Sequence, residues 1–443
     1  MNMKVLMFGW EFPPHISGGL GTACFRITEG LVKQGVEVLF VVPHRFEDEK
    51  ENGSKILGAN EVKFKVSSPD AVLNYPVLKK YFNNLSFIEV NSRLVPYVGG
   101  QDYYNIKHYQ QAQNYWETKT SAITTKDAMD FRSFDFLGGY GENLMDEVEK
   151  YALVATQIAR DYDFDVIHAH DWLTYKAGIV AKKISGKPLI VHVHATEFDR
   201  SGENVNQLVY DIEREGMTEA DHIITVSNYT KRIVVNRYAQ PLQKITTVYN
   251  GIEEQETRIK RLPNPFNKKI VTFLGRVTFQ KGPDYFVEAA EKVIKKDPNI
   301  IFVLAGSGDM LNRMIALVGK KRISKNFFFT GFLRGKDVER MFRMSDVYVM
   351  PSVSEPFGIS PLEAMREGVP TIISKQSGVS EVVSYAIKVD FWDIDAMADA
   401  IYSLTHYPAI SNMIKKNASE QLHTINWDKA TKEILDIYNQ ISC

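Results

Sequence analysis

Cysteine is scarce: two residues in 443, Cys24 and Cys443. Two thiols exclude a disulfide framework and a Cys-rich metal pattern, and a reducing cytoplasm is the compartment they imply. Long apolar runs are lacking as well. Nowhere do about 18 uncharged apolar residues follow one another, which excludes a spanning helix. The opening "MNMKVLMFGWEFPP" has one lysine and an apolar run broken at Glu11, too short for the core of a signal peptide. It reads as a first strand. Net charge is missing too, since 53 Lys and Arg stand against 54 Asp and Glu, so no global field points to nucleic acid or to an anionic membrane. Repeats of solenoid length and low-complexity tracts are absent.

What is present is an ordinary globular composition in a chain too long for most single cores, which predicts two domains of about 200 residues each. Apolar runs of strand length bounded by Gly and Pro alternate with segments of helical period, the pattern of parallel sheets built from strand-helix-strand crossovers. The first half runs "MKVLMFGW", "SGGLGTACFRITEGLVKQG", "VEVLFVVP"; after residue 269 "KKIVTFLGRV", "TFQKGPDYFVEAAEKVIKKDP" and "NIIFVLAGSG" repeat that logic. Between them "IEEQETRIKRLPNPFNKK", residues 252–269, is charged, holds two prolines and lacks apolar periodicity, as a linker should. The expectation is two doubly wound α/β domains, 1–251 and 252–426, with an insertion at about 45–140 in the first. That insertion carries the aromatic-rich "YVGGQDYYNIKHYQQAQNYW", in which Tyr103, Tyr104, Tyr109, Tyr115 and Trp116 suit either stacking on sugar rings or packing.

Several stretches suit chemistry. In "ISGGLGTA", Gly18, Gly19 and Gly21 lie between a strand and a helix, where free N–H groups favour an anion. The loop is neither a Walker loop nor G-x-G-x-x-G, and a plain tight turn is the alternative. "GRVTFQKG" sets Arg276 and Lys281 after an apolar strand, where an open α/β sheet binds ligands. A guanidinium fork and a mobile ammonium together suit a diphosphate, and solvated surface cations are the alternative. "VIHAHDW" and "LIVHVHATE" place His168 with His170, and His192 with His194, each pair on one face of a strand. With Asp171 they invite a metal reading, against which stands hydrogen bonding within a core. The D-x-D at Asp163 to Asp165 precedes a strand and reads as a solvated turn, and the basic "KKRISK", 320–325, as a solvated face.

In "SEPFGISPLEAMREG" the order Ser360, Pro361, Glu363 reads as N-cap, first helical residue and capping box, with Gly368 as the αL stop. Glu355 sits in the loop before that helix with no capping role, where a carboxylate points to function. Free N–H groups at Gly358 and Ile359 make a second place suited to phosphate. Two such loops imply an interdomain cleft.

Taken in order, "GGLG", "HAHDW", "HVHATEFDRSGE", "GRVTFQKG", "VLAGSG" and "EPFGISPLEAM" resemble the retaining nucleotide-sugar glycosyltransferases of GT-B fold, nearest to the glycogen-synthase-like members. The resemblance spans both domains apart from about 45–140. It implies that Arg276 and Lys281 bind the donor diphosphate, with Gly306 and the N–H groups of Gly358 and Ile359 on the donor side. Glu363 would hold the donor ribose, Glu355 would lie near the transferred sugar, and His194 would touch that sugar. Asp171 and Trp172 would face the acceptor, while Gly18 and Gly19 would close over phosphate and sugar. It further implies that "INWDKATKEILDIYNQI", residues 425–441, carries a final helix, placed at 427–443, that returns to the first domain. Two positions depart from glycogen synthases: Ile16 stands where lysine is usual and Leu173 where histidine is.

The function so implied is transfer of a hexosyl, expected glucosyl, group from a nucleoside-diphosphate sugar to a carbohydrate acceptor, with no metal and no cofactor. A different glycan or a lipid-linked acceptor is the alternative within that class. Two other classes compete: a metal-dependent hydrolase built on His168, His170, Asp171, His192 and His194, and a non-catalytic sugar-nucleotide binder.

Overall fold

The computed structural model describes residues 2–15, 18–46, 48–49, 52–62, 64–65, 131–132, 144–253 and 261–442. The aromatic cluster of the insertion, Ile16 and Cys443 lie outside the described residues. In chain order the strands are β1 Lys4–Phe8, β2 Glu37–Val42, β3 Lys55–Gly58, the short pair β4 Phe64–Lys65 and β5 Phe131–Arg132, β6 Val166–His170, β7 Leu189–Val193, β8 His222–Thr225 and β9 Ile245–Thr247. The second half supplies β10 Lys269–Leu274, β11 Ile300–Ala305, β12 Phe327–Gly331, β13 Val347–Met350, β14 Thr371–Ser374 and β15 Ile387–Val389.

Two parallel sheets result, ordered β3-β2-β1-β6-β7-β8-β9 and β12-β11-β10-β13-β14-β15. Strands such as β6, β7 and β11 are buried at every residue, because helices cover both faces and no solvent side needs polar alternation. In each sheet the order reverses beside the first strand, between β1 and β6 and between β10 and β13. Crossover helices diverge at such a point and leave a crevice at the carboxyl ends of the strands. His194, Arg276 and Glu355 follow the carboxyl ends of β7, β10 and β13. The D-x-D is a local staple: Lys4 Nζ meets Asp163 at 3.0 Å, and the Lys4 N–H donates to Asp165 Oδ2 at 2.9 Å.

The chain passes between the domains twice, side by side. Ile252 N–H donates to Ile425 O at 3.0 Å, and Ile252 bridges Asn426 in parallel. Gly251 permits that approach, since a Cβ there would lie 2.3 Å from the Asn426 carbonyl carbon. Asn426 caps the helix Trp427–Ile441 by accepting from Lys429 N–H at 2.9 Å. That helix buries Trp427, Ala430, Ile434, Ile437 and Tyr438 in one cluster with Val5, Met7, Cys24, Ile27 and Leu31 of the first domain. Its Thr431 rests on Gly30, where an added Cβ would come within 2.6 Å, and accepts from Gln34 Nε2 at 2.7 Å. No helix among the described residues is long and apolar enough to cross a membrane.

Candidate active site

On the second domain the site begins where β10 ends. Gly275 N–H donates to Ala305 O at 3.0 Å and Val277 N–H to Ser307 O at 2.9 Å, so "AGSG" after β11 lies flush against "GRV" after β10. Gly306 makes this possible at φ 149, because a Cβ there would stand 1.8 Å from Gly275 O. Its place is therefore structural support for the backbone that carries Arg276. Gly306→Ala is expected to cost more than about 3 kcal/mol, from a backbone clash at a conformation that side chains avoid. Gly18 and Gly19 are exposed and a Cβ on either meets nothing within 4 Å, so Gly18→Ala is expected to leave the melting temperature unchanged. Thermal melts of the two variants check both expectations.

Arg276 is half-buried, and its Nη2 reaches Gln280 Oε1 at 3.5 Å. Lys281 ends the single 3-10 turn Phe279–Lys281, and Gly282 at φ 61 turns the chain into the helix Pro283–Lys296. Lys281 and Glu355 form an ion pair, with side chains 21% and 7% exposed, and Ser352 Oγ donates to the same carboxylate oxygen at 3.3 Å. Sequence reading gave these two residues separate tasks; they are one unit. Glu355 is held by its backbone as well, with its N–H on Gln376 O at 3.0 Å and its carbonyl accepting from Gly378 N–H at 2.9 Å.

The following helix departs from the expected capping box. It spans Ser360–Arg366 with Ile359 as N-cap in the αR conformation and no side-chain cap. Ile359 already follows helical dihedrals, so Ser360 falls inside the first turn, where its hydroxyl cannot serve as the cap. Glu363 is thereby released from capping. Burial pushes its carboxyl above the usual range, with Arg366 opposing and Glu339 and Glu367 adding to the rise. Gly368 does take φ 71 at the helix end, as an αL stop requires. Gly358 turns the chain at φ 97 beneath Glu355, and Ile359 packs against apolar clusters of both domains.

The first domain presents His194 from the loop after β7. Two consecutive residues at the end of β6 grip it: His170 Nδ1 stands 2.9 Å from His194 Nε2, and Asp171 Oδ1 accepts from the N–H groups of His194 at 2.7 Å and Ala195 at 3.3 Å. Asp171 does this from φ 58, an uncommon conformation for a residue other than Gly. Burial raises the Asp171 carboxyl to about 7, with Arg200 and the two backbone donors opposing. Burial lowers His194 to about 3, so its imidazole is neutral and half-buried at the cleft. Asp171 is thus an anchor for the histidine loop rather than an open contact surface. Trp172 is corrected more sharply. At 1% exposure, inside the first-domain core, its ring cannot reach an acceptor.

The two sides meet. The short helix Glu197–Ser201 lies against the turn Phe279–Lys281, and Ser354 Oγ donates to Asp199 Oδ1 at 2.6 Å. Asp199 also accepts from Thr196 N–H and Oγ1, both at 2.8 Å, while Arg200 pairs with buried Glu197 and Glu213. Ser227 Oγ donates to Pro356 O at 2.5 Å, and the N–H groups of Asn228 and Tyr229 donate to Glu381 at 2.9 and 2.7 Å. Sequence reading missed Asp199, Arg200, Ser354 and Glu381. Only Asp199 carried a local signal, the T-x-x-D of "TEFD", which is a capping box in the structure. The supposed metal set divides: His168, His170 and His192 gather, whereas Asp171 turns to backbone donors.

The family described as "Glycosyl transferases group 1" matches residues 254–421, and "Glycosyltransferase Family 4" matches 148–256. The chain belongs to the glycosyltransferases. It is 27% identical over 455 residues to an uncharacterized glycosyltransferase of Methanocaldococcus jannaschii, covering 98% of both chains. It is 25% identical over 287 residues to the glycogen synthase of Mycobacterium tuberculosis, covering 63% of this chain and 69% of that one. Among solved structures, the sucrose-phosphate synthase of Thermosynechococcus elongatus aligns with a TM-score of 0.69 at 17% identity over 99% of both chains. Anabaena HepE in complex with UDP and glucose aligns with a TM-score of 0.66 at 15% identity, over 99% of this glycosyltransferase and 100% of that protein. The fold is GT-B.

Proposed function

We propose that this glycosyltransferase moves a glucosyl group from a nucleoside-diphosphate sugar to a carbohydrate acceptor with retention of configuration, α-glucan synthesis of the glycogen type being the case in mind. One observation carries the reading: Arg276 and the Lys281–Glu355 pair stand together after the strands of the second domain, across the cleft from the loop of His194.

A sugar leaving a nucleoside diphosphate builds negative charge on the phosphates and positive charge on the anomeric carbon. Arg276 and Lys281 hold the diphosphate, helped by N–H groups at Gly358 and Ile359, and the loop of Gly18 and Gly19 closes over it. The ion pair lets Lys281 bridge phosphate and Glu355, so the carboxylate sits beside the developing positive carbon. Neutral His194, positioned by His170 and Asp171, hydrogen-bonds the sugar. The acceptor hydroxyl attacks on the face the diphosphate leaves, its proton passing to that leaving group, and no step is assigned to a metal ion. A lipid-linked acceptor is the second reading, favoured by 27% identity over 62% of the chain to an Escherichia coli galactosyltransferase acting on a diphosphoundecaprenol-linked sugar.

A thermal-shift screen against UDP-, ADP- and GDP-glucose, followed by transfer assays on a glucan panel, tests the reading. One base should stabilise selectively. Glu363→Gln should weaken that donor about 10-fold, a charge-assisted hydrogen bond to ribose being worth about 1.5 kcal/mol or more, with little change in the unliganded melt. Unchanged donor affinity removes the ribose role. Donor binding without turnover on any acceptor makes the protein a binder.

A further inference from the structure

Beneath the active site four imidazoles form a compact group. His168 and His170 alternate along β6, His192 lies near the end of β7 with His194 in the loop just after it, and His170 is in register with His192. Ring centroids lie 4.2 Å apart within each strand, and 5.3 Å separates His168 from His192. His168, His170 and His192 are at most 1% exposed. His168 Nε2, His170 Nε2 and both nitrogens of His192 are buried without a hydrogen-bond partner. Each orphaned polar atom of this kind costs about 1–3 kcal/mol, and native domains hold few of them. Four in one cluster need a physical reason.

The remaining nitrogens supply it. His168 Nδ1 lies 2.5 Å from Tyr438 OH and His170 Nδ1 lies 2.9 Å from His194 Nε2. In the tautomers where those Nδ1–H groups donate, both Nε2 atoms keep their lone pairs. Metal-ligating histidines are commonly fixed in this way, by a hydrogen bond from the nitrogen that does not ligate. We infer that His168, His170 and His192 form a binding site for a divalent transition-metal ion that imidazole favours, with Zn²⁺ as the example, buried between β6, β7 and the final helix.

The distances allow it. One ligand atom from each ring lies within 4.8 Å of the other two. A point equidistant from three atoms so spaced is about 2.8 Å from each, against a Zn–N distance of about 2.0–2.1 Å. A movement of at most about 0.7 Å per ring, with a turn about χ2 that swings the near-parallel ring planes onto the ion, closes the difference. The donor set is nitrogen alone, which disfavours Mg²⁺ and Ca²⁺ and suits Zn²⁺, Ni²⁺ or Cu²⁺. The ion stands outside the reaction path. It staples the two histidine strands and, through His170, fixes the ring of His194. Neither the donor nor the acceptor assignment enters this inference.

The untagged full chain, stripped with chelator and dialysed against Zn²⁺, should retain one equivalent by elemental analysis and melt at a higher temperature. Co²⁺ in its place should give the visible bands of a nitrogen-ligated site. Tyr438→Phe, which keeps the ring, should weaken binding roughly 10–100-fold, as loss of an outer partner does. His192→Phe should abolish binding, and His222→Gln, a half-buried histidine bonded to Thr246 at 2.9 Å outside the cluster, should bind as wild type. Substoichiometric metal in the wild type overturns the site. So does binding that survives both His192→Phe and Tyr438→Phe, or that is lost with Cys24→Ser alone, since Cys24 groups with His170 and His194 instead.

Discussion

Lys281→Ala is expected to lower kcat/KM by 10² to 10³, the usual loss when one fixed group stabilising transition-state charge is removed. The ion pair makes this variant two experiments at once. Glu355 is 7% exposed at its side chain and loses its cation when Lys281 is truncated. Stranding a buried charge costs on the order of 3 kcal/mol, so the variant should also melt early. Lys281→Met combined with Glu355→Gln removes both charges and should recover most of the stability while leaving turnover at the low level. Recovery of stability and turnover together would mean that Lys281 serves only to neutralise Glu355. Near-native turnover in Lys281→Ala with a working donor would remove Lys281 from the diphosphate.

Acidification from pH 6 to pH 5 is expected to destabilise the protein by about 1–2 kcal/mol, or roughly 2–8 °C in melting temperature. Burial holds His168 and His194 to about 3 and lowers His170 and His192 well below 6.5. A histidine depressed in the fold contributes stability that is complete above its unfolded value near 6.5 and is lost as pH falls toward its folded value. Asp171 and Glu213, both raised by burial to about 7, work in the opposite sense. Their contribution is complete below about 4 and is lost as pH rises through 7. These four imidazoles and His222, also lowered by burial, set against Asp171, Glu213 and the likewise raised Asp199 and Glu363, leave about one to two protons taken up on unfolding between pH 5 and 6, at about 1.4 kcal/mol per proton per pH unit. Stability should therefore peak near pH 6.5. Urea denaturation across this range, in chelator, measures the slope, and His168→Phe should remove about one proton from it. A flat or inverted profile would mean that the rings carry partners that hold them charged.

The parts of this site that could be read from sequence are those set by neighbours along the chain. Gly275, Arg276 and Lys281 follow an apolar strand, and the turn that carries Lys281 is closed locally, by Lys281 N–H on Thr278 O and Gly282 N–H on Phe279 O. The rest depends on contacts across long separations. Glu355 lies 74 residues from Lys281, and Ser354 lies 155 from Asp199, so neither partnership leaves a local trace. Trp172 was misread because a motif fixes residue identity but not orientation: as the first residue of the helix Trp172–Ser185, its side chain points into the core. The capping box at Ser360 failed for a subtler reason. Gly358 at φ 97 sets Ile359 on helical dihedrals one residue earlier than the Ser-Pro pair implies, and no rule based on residue type registers that shift.

The final helix reverses the order in which the molecule can be completed. Val5, Met7, Cys24 and Leu31 leave the ribosome early, yet they share their core with Trp427, Ile434 and Tyr438. At about 5–20 residues per second of synthesis, that apolar face waits roughly 20 to 80 s for its cover. The second domain has all its strands by residue 389, before the helix that seals the first has been made. The domain begun first is the one finished last.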